Sequence, residues 1–220
     1  MSHWITLHTA AGPVQAWLAE PASTPRGGLV VIQEIFGANA HIRSVADRYA
    51  AEGWLAIAPA FFDPVEKNVE LPYDPASFAR GRELVAALGF ERALQIVQAA
   101  AAQVSSAGKV GTVGYCWGGS VVLRAAQTLG LPGVSYYGTR NVGFLDVPLQ
   151  APVMFHFGEK DASIPPDAIQ AHREKLPTMD VFVYPAEHAF NRDVDPTHHD
   201  AASAKLAWQR SLQFLREHAT

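Results

Sequence analysis

Six largely apolar runs of five or six residues punctuate this chain, and most of them are separated by longer stretches with helical spacing. They are Gly27–Ile32, Trp54–Ala58, Lys109–Val113, Gly133–Tyr137, Pro152–Phe157 and Asp180–Tyr184. Strands covered on both faces read as continuous apolar runs, whereas half-exposed strands alternate. Strand and helix in regular alternation therefore predict an α/β chain: a mostly parallel central sheet with helices on both faces.

The helical stretches carry their own punctuation. Asn39 can cap a helix whose apolar residues Ile42, Val45, Ala46, Tyr49 and Ala50 share one face and which stops at Gly53. Ala76–Leu88 and Phe90–Val104 read as helix, broken at Gly89. Pro165-Pro166-Asp167 opens a helix to about Leu176, with proline where its missing N–H costs nothing. Asp200–His218 closes the chain as a helix. At the front, Trp4–His8 and Val14–Leu18 flank Ala10-Ala11-Gly12-Pro13 and predict a hairpin, while residues 59–75 read as loop. No repeat or linker is apparent, so residues 1–220 are expected to form a single domain.

Composition narrows the function. A net charge of −4 with no basic stripe argues against nucleic acid as a partner. A single cysteine rules out an internal disulfide framework and suits a reducing compartment. The first residues lack a basic region followed by an apolar run, and no apolar segment is expected to reach bilayer length. These features predict a cytoplasmic protein that acts on a small molecule away from membranes, as a monomer or small homo-oligomer.

The chemistry centres on Gly114-Tyr115-Cys116-Trp117-Gly118-Gly119, which places that one cysteine at a strand-to-helix corner. The pattern is a nucleophile elbow, G-x-S-x-G, with cysteine in the serine position. Gly114 and Gly118 leave room where a Cβ would collide in the turn. An inert core cysteine has no need of glycines two before and two after it. Asp161 follows the next strand but one, and His188 follows the last. Nucleophile, acid, histidine is the chain order of the α/β-hydrolase fold. In that arrangement His188 draws the proton from Cys116, and Asp161 orients the imidazole and offsets its charge. Attack on an ester or lactone carbonyl gives a thioester through an oxyanion. The amides of Trp117 and Ile35 are candidates to receive that charge.

Rival residues are present. Glu159 could replace Asp161 as the acid, although the turn Gly158-x-x-Asp161 brings the latter back toward the histidine. Asp167 reads as a first-turn helix charge. His198-His199-Asp200 resembles a solvated helix start more than a metal site, since no third ligand has suitable spacing. No metal or cofactor is expected. Glu34, directly after a buried strand in Gln33-Glu34-Ile35-Phe36-Gly37, can accept a hydrogen bond from the Cys116 thiol and keep it protonated at rest.

These segments, with His188-Ala189-Phe190-Asn191-Arg192, resemble the dienelactone hydrolase (carboxymethylenebutenolidase) family over nearly the whole chain. The resemblance implies an α/β-hydrolase fold, no cofactor, and a triad of Cys116, His188 and Asp161. It also implies that Glu34 contacts the resting thiol and moves when a substrate carboxylate binds. That carboxylate is held in the family by two arginines and a serine. Arg192 matches one arginine; Arg82 matches the other, with Arg80 a close rival; the serine position is Ala189 here. The expected activity is cofactor-independent opening of a small, carboxylate-bearing lactone or ester through a Cys116 thioester. Two alternatives are a broader esterase or thioesterase for neutral substrates and a non-catalytic thiol sensor or binding protein on the same scaffold.

Overall fold

Every strand expected from the apolar runs is present in the computed structural model, which describes residues 1–220. Eight strands form a mostly parallel sheet. The backbone divides into two compact units, one of residues 1–112 with 219–220 and one of residues 113–218.

In the first unit, β1 (Ser2–Thr9) and β2 (Gly12–Ala19) form the antiparallel hairpin, with Thr9 opposite Gly12. Next to β2 comes β4 (Leu55–Pro59), antiparallel to it, and then β3 (Gly28–Ile32), parallel to β4. All five residues of β3 are buried, as a continuous apolar run requires. Helix α1 (Ala40–Ala51) starts where Asn39 Oδ1 accepts the Ile42 amide at 3.2 Å. Its inward face is the expected set of Ile42, Val45, Ala46, Tyr49 and Ala50, joined by His41.

Helix α2 spans Pro75–Val104. The Asp74 carboxylate caps it by accepting the Ser77 amide at 2.7 Å, and Pro75 occupies the first turn. Gly89 has non-helical torsions, φ 73° and ψ 163°, so two helical segments meet there as the sequence predicts. One expectation fails: Pro75–Ala107 is long and apolar enough, by length and composition, to cross a membrane. Small residues explain the discrepancy. Alanines raise the mean hydropathy without forming an obvious apolar run, and the helix buries Leu84, Val85, Leu88, Ile96 and Val97 within the fold.

The boundary between the units falls inside β5 (Val110–Tyr115). In the second unit α3 (Trp117–Thr128) follows, then β6 (Gly133–Tyr136), β7 (Val153–Gly158), α4 (Pro166–Lys175), β8 (Val181–Tyr184) and α5 (Ala201–His218). β6, β7 and β8 are neighbours in that order and all parallel. Val121, Val122, Leu123, Phe155 and Phe157 are fully buried in its core, each contributing about 1.5–3 kcal/mol relative to exposure. A buried polar chain runs beneath β7. His156 bonds Ser211 Oγ through Nε2 at 3.0 Å and the Tyr184 hydroxyl through Nδ1 at 2.8 Å. Ser211 Oγ is in turn 2.7 Å from the Tyr136 hydroxyl.

Candidate active site

Cys116 is the hinge between β5 and α3, and its backbone is strained, at φ 55° and ψ −119°. Only glycine adopts such a conformation readily, and non-glycine residues held there cluster at functional sites. Two contacts hold it. The Cys116 amide donates to the Tyr136 carbonyl, and the Gly119 amide donates back to the Cys116 carbonyl, both at 3.0 Å. Gly114 has the role its position implies: a Cβ there would lie 2.2 Å from the Gly118 carbonyl oxygen. The Cys116 side chain is nearly covered, at 8% exposure. Trp117 is the first residue of α3, so its amide belongs to the helix end whose N–H groups have no partner within the helix.

The acid and the histidine are carried by loops joined through backbone hydrogen bonds. After β7 the Glu159 amide donates to the Tyr184 carbonyl at 2.7 Å, and the Lys160 amide donates to the Ala186 carbonyl at 3.0 Å. The turn then buries Asp161 and leaves Glu159 exposed. Asp161, not Glu159, is thereby the carboxylate beside His188. Asp161 Oδ1 accepts the Ser163 amide at 2.8 Å, and Oδ2 accepts His188 Nδ1 at 2.6 Å. With Nδ1 engaged, Nε2 is the ring nitrogen left for Cys116, to which the imidazole is also hydrogen-bonded. Burial opposes a charged ring here, but the thiolate charge of Cys116 and the bond to Asp161 outweigh it and push the His188 pKa up to about 10. The arrangement favours a protonated His188 ring beside the Cys116 sulfur.

Tyr137 completes the ring's surroundings, and no sequence motif marks it. It is fully buried, has φ 40°, and its ring centroid lies 4.9 Å from that of His188. The available clue was two tyrosines at the carboxyl end of a buried strand. Ala189, directly after the histidine, also has positive φ (61°), and the Arg192 amide closes a turn onto its carbonyl at 2.9 Å.

Glu34, Ile35 and Arg82 belong to the first unit; Cys116, Trp117, Asp161, His188 and Arg192 belong to the second. Glu34 is 1% exposed at the end of β3. Its loop is fixed from two sides. Gln33 donates to the Glu34 carbonyl and accepts the Phe61 amide, both at 3.1 Å. On α2, Gly81 lets the Ile35 carbonyl approach so closely that a Cβ would meet its oxygen at 2.2 Å. Arg82 is exposed, with its guanidinium 6.0 Å from the Phe78 ring centroid. Arg80 is committed elsewhere, to Glu66 and to Glu83.

Arg192 is buried, and its Nη1 donates to Asp195 Oδ2 at 3.0 Å. His198 bonds the same oxygen through Nδ1 at 2.8 Å, and His199 Nδ1 donates to the Phe190 carbonyl at 3.1 Å. Asp200 starts α5 by accepting the Ser203 amide, and Asp167 accepts the Ala168 amide in the first turn of α4. No group of three or more histidine, cysteine or acidic side chains is placed to hold a metal ion.

A model of the dienelactone hydrolase family matches residues 14–219. A candidate carboxymethylenebutenolidase of Yersinia pestis is 33% identical over 239 residues, covering 97% of this chain and 87% of its own. The crystal structure of a candidate dienelactone hydrolase from Klebsiella pneumoniae subsp. pneumoniae MGH 78578 aligns with a TM-score of 0.86 at 30% identity over 99% of each chain. The Pyrococcus furiosus esterase Pf2001 shares the fold at 13% identity, with a TM-score of 0.71 over 100% of this chain and 92% of its own. The α/β-hydrolase fold expected from the sequence is the one observed.

Proposed function

Because the chain belongs to the dienelactone hydrolase family, we propose that it cleaves a small lactone or ester through a thioester on Cys116. It is a hydrolase of lactone or ester bonds, and the proposal concerns how it works. One observation carries the mechanism: the hydrogen-bonded series Asp161–His188–Cys116, with the His188 ring pushed up to about 10.

The Cys116 sulfur attacks the carbonyl carbon, and the carbonyl electron pair moves onto oxygen. The amide of Trp117, at the start of α3, receives that negative charge, and Ile35 is assigned the second amide. Collapse of the intermediate breaks the carbon–oxygen bond. The departing alkoxide takes the His188 proton and leaves an acyl-sulfur bond. Neutral His188 then removes a proton from water, whose oxygen attacks the thioester, and the thiolate leaves. Asp161 keeps Nδ1 protonated throughout. Glu34 is assigned to the resting thiol, a role supported by its motif Gln33–Gly37. The family match across residues 14–219 supports treating the chain as one catalytic domain.

The test is pre-steady-state hydrolysis of a p-nitrophenyl ester with intact-mass detection. A burst with an acyl adduct on Cys116, absent in Cys116→Ala, is expected. Turnover that persists in Cys116→Ala, or wild-type protein that neither turns over nor acylates, overturns the reading; the latter leaves Cys116 as a sensing thiol.

A further inference from the structure

The resemblance makes Arg192 a ligand for a substrate carboxylate, yet in this chain its charge is already answered. Nη1 of Arg192 and Oδ2 of Asp195 lie 3.0 Å apart, with the two side chains 7% and 13% exposed. An ion pair so placed is poorly screened by water.

Asp195 is also difficult to displace. Its Oδ1 accepts the Thr197 amide at 3.1 Å, and its Oδ2 accepts His198 Nδ1 as well as Arg192. Its own amide donates to the Arg192 carbonyl at 3.1 Å, and its carbonyl accepts the amides of His198 and His199. Burial works against the charged carboxylate. The His198 bond and charge, with the Arg192 guanidinium, outweigh that effect and hold Asp195 below the usual carboxylate range. It is therefore an anion at neutral pH.

The other elements of an anion clamp are weak or missing. Position 189 carries a methyl group where the resemblance implies a hydroxyl. Arg82 is exposed over Phe78. An incoming carboxylate would have to compete with Asp195 for Arg192 or lie beside a like charge, and like charges brought together disfavour a partner.

Resting on the thioester reading above, we propose that Asp195 is a specificity-determining residue. By holding Arg192 in a buried ion pair, it fits the site to neutral esters and lactones and disfavours substrates that carry a free carboxylate.

The experiment compares kcat/KM for p-nitrophenyl butyrate and mono-p-nitrophenyl glutarate, an uncharged and an anionic ester of similar size. Wild type is expected to prefer the neutral ester. Asp195→Asn should raise the anionic-to-neutral ratio by about tenfold, and adding Arg192→Gln should abolish that gain. A ratio that is unchanged or lower in Asp195→Asn overturns the proposal. If Asp195→Asn does not fold, the double variant Asp195→Asn/Arg192→Gln, which leaves no unpaired buried charge, decides. A ratio within about twofold of wild type supports a neutralised arginine, and a selective loss of anionic turnover of more than about tenfold overturns it. Failure of the thioester reading is distinguishable, because it removes the acyl adduct on Cys116 with both esters.

Discussion

Asp161 divides its carboxylate between two donors: one oxygen holds its own loop through the Ser163 amide, and the other holds the His188 ring. Asp161→Asn preserves the shape but puts an NH2 group where one of the two acceptors stood. If that group faces the ring, the neutral imidazole must carry its proton on Nε2, leaving no lone pair there to take a proton from water. We expect kcat/KM on an activated ester to fall roughly 10²- to 10⁴-fold, with the melting temperature falling much less. Activity within about threefold of wild type would mean that the ring is oriented by something else.

His188 should report on its partner. Its pKa is pushed up to about 10 from an ordinary 6.5, with Cys116 the largest favourable contributor. A raised folded-state pKa means that the folded protein holds this proton more tightly than the unfolded chain. The associated stabilisation is complete below pH 6.5 and is lost as pH climbs toward about 10. Proton NMR of the ring should show a midpoint near 10 in wild type, lower by more than about one unit in Cys116→Ala. Thermal denaturation from pH 6.5 to 10 should show a shallower alkaline decline in that variant.

Gly114→Ala tests the elbow. Its methyl group would be 2.2 Å from a backbone oxygen, which no rotamer change relieves. The expected cost is about 3 kcal/mol or more, read from urea denaturation. A loss below about 0.5 kcal/mol would show that the β5–α3 corner is far more pliable than its geometry implies.

His156 provides the acid counterpart. Burial, reinforced by the charge of Arg210, holds its pKa down to about 3. Here the unfolded chain binds the proton more readily. Stability is retained above pH 6.5 and drains as pH falls toward about 3, at up to ~1.4 kcal/mol per pH unit. His156→Gln should be less stable at pH 7, having lost bonds to Ser211 and Tyr184, yet show a flatter acid limb. An acid limb as steep as that of wild type would assign the effect to other groups.

Much of this architecture is legible in the sequence because it is written in local terms. The five apolar residues of β3 follow from burial on both faces. The start of α1 follows from one asparagine, and the break in α2 from one glycine. The elbow is legible because the strain at Cys116 needs a compact turn and Gly114 supplies the space. What escaped depends on approach in three dimensions or on unusual torsions. Tyr137 reaches His188 from a positive-φ corner that aromatic residues rarely occupy. The Arg192–Asp195 pair has an i,i+3 spacing that suggests a helix, yet it forms in a run of turns. The bilayer-length stretch is inconspicuous in the sequence because alanines contribute hydropathy without bulk.

The amides of Glu159 and Lys160, bonded to the carbonyls of Tyr184 and Ala186, yoke the acid's loop to the imidazole's. Neither loop can drift without carrying the other, so the hydrogen-bonded Asp161 and His188 behave as one stiff bracket. Those two amides should exchange with deuterium at similar, slow rates. Substitutions that break either of these two bonds should therefore displace the His188 ring as well as the Asp161 loop.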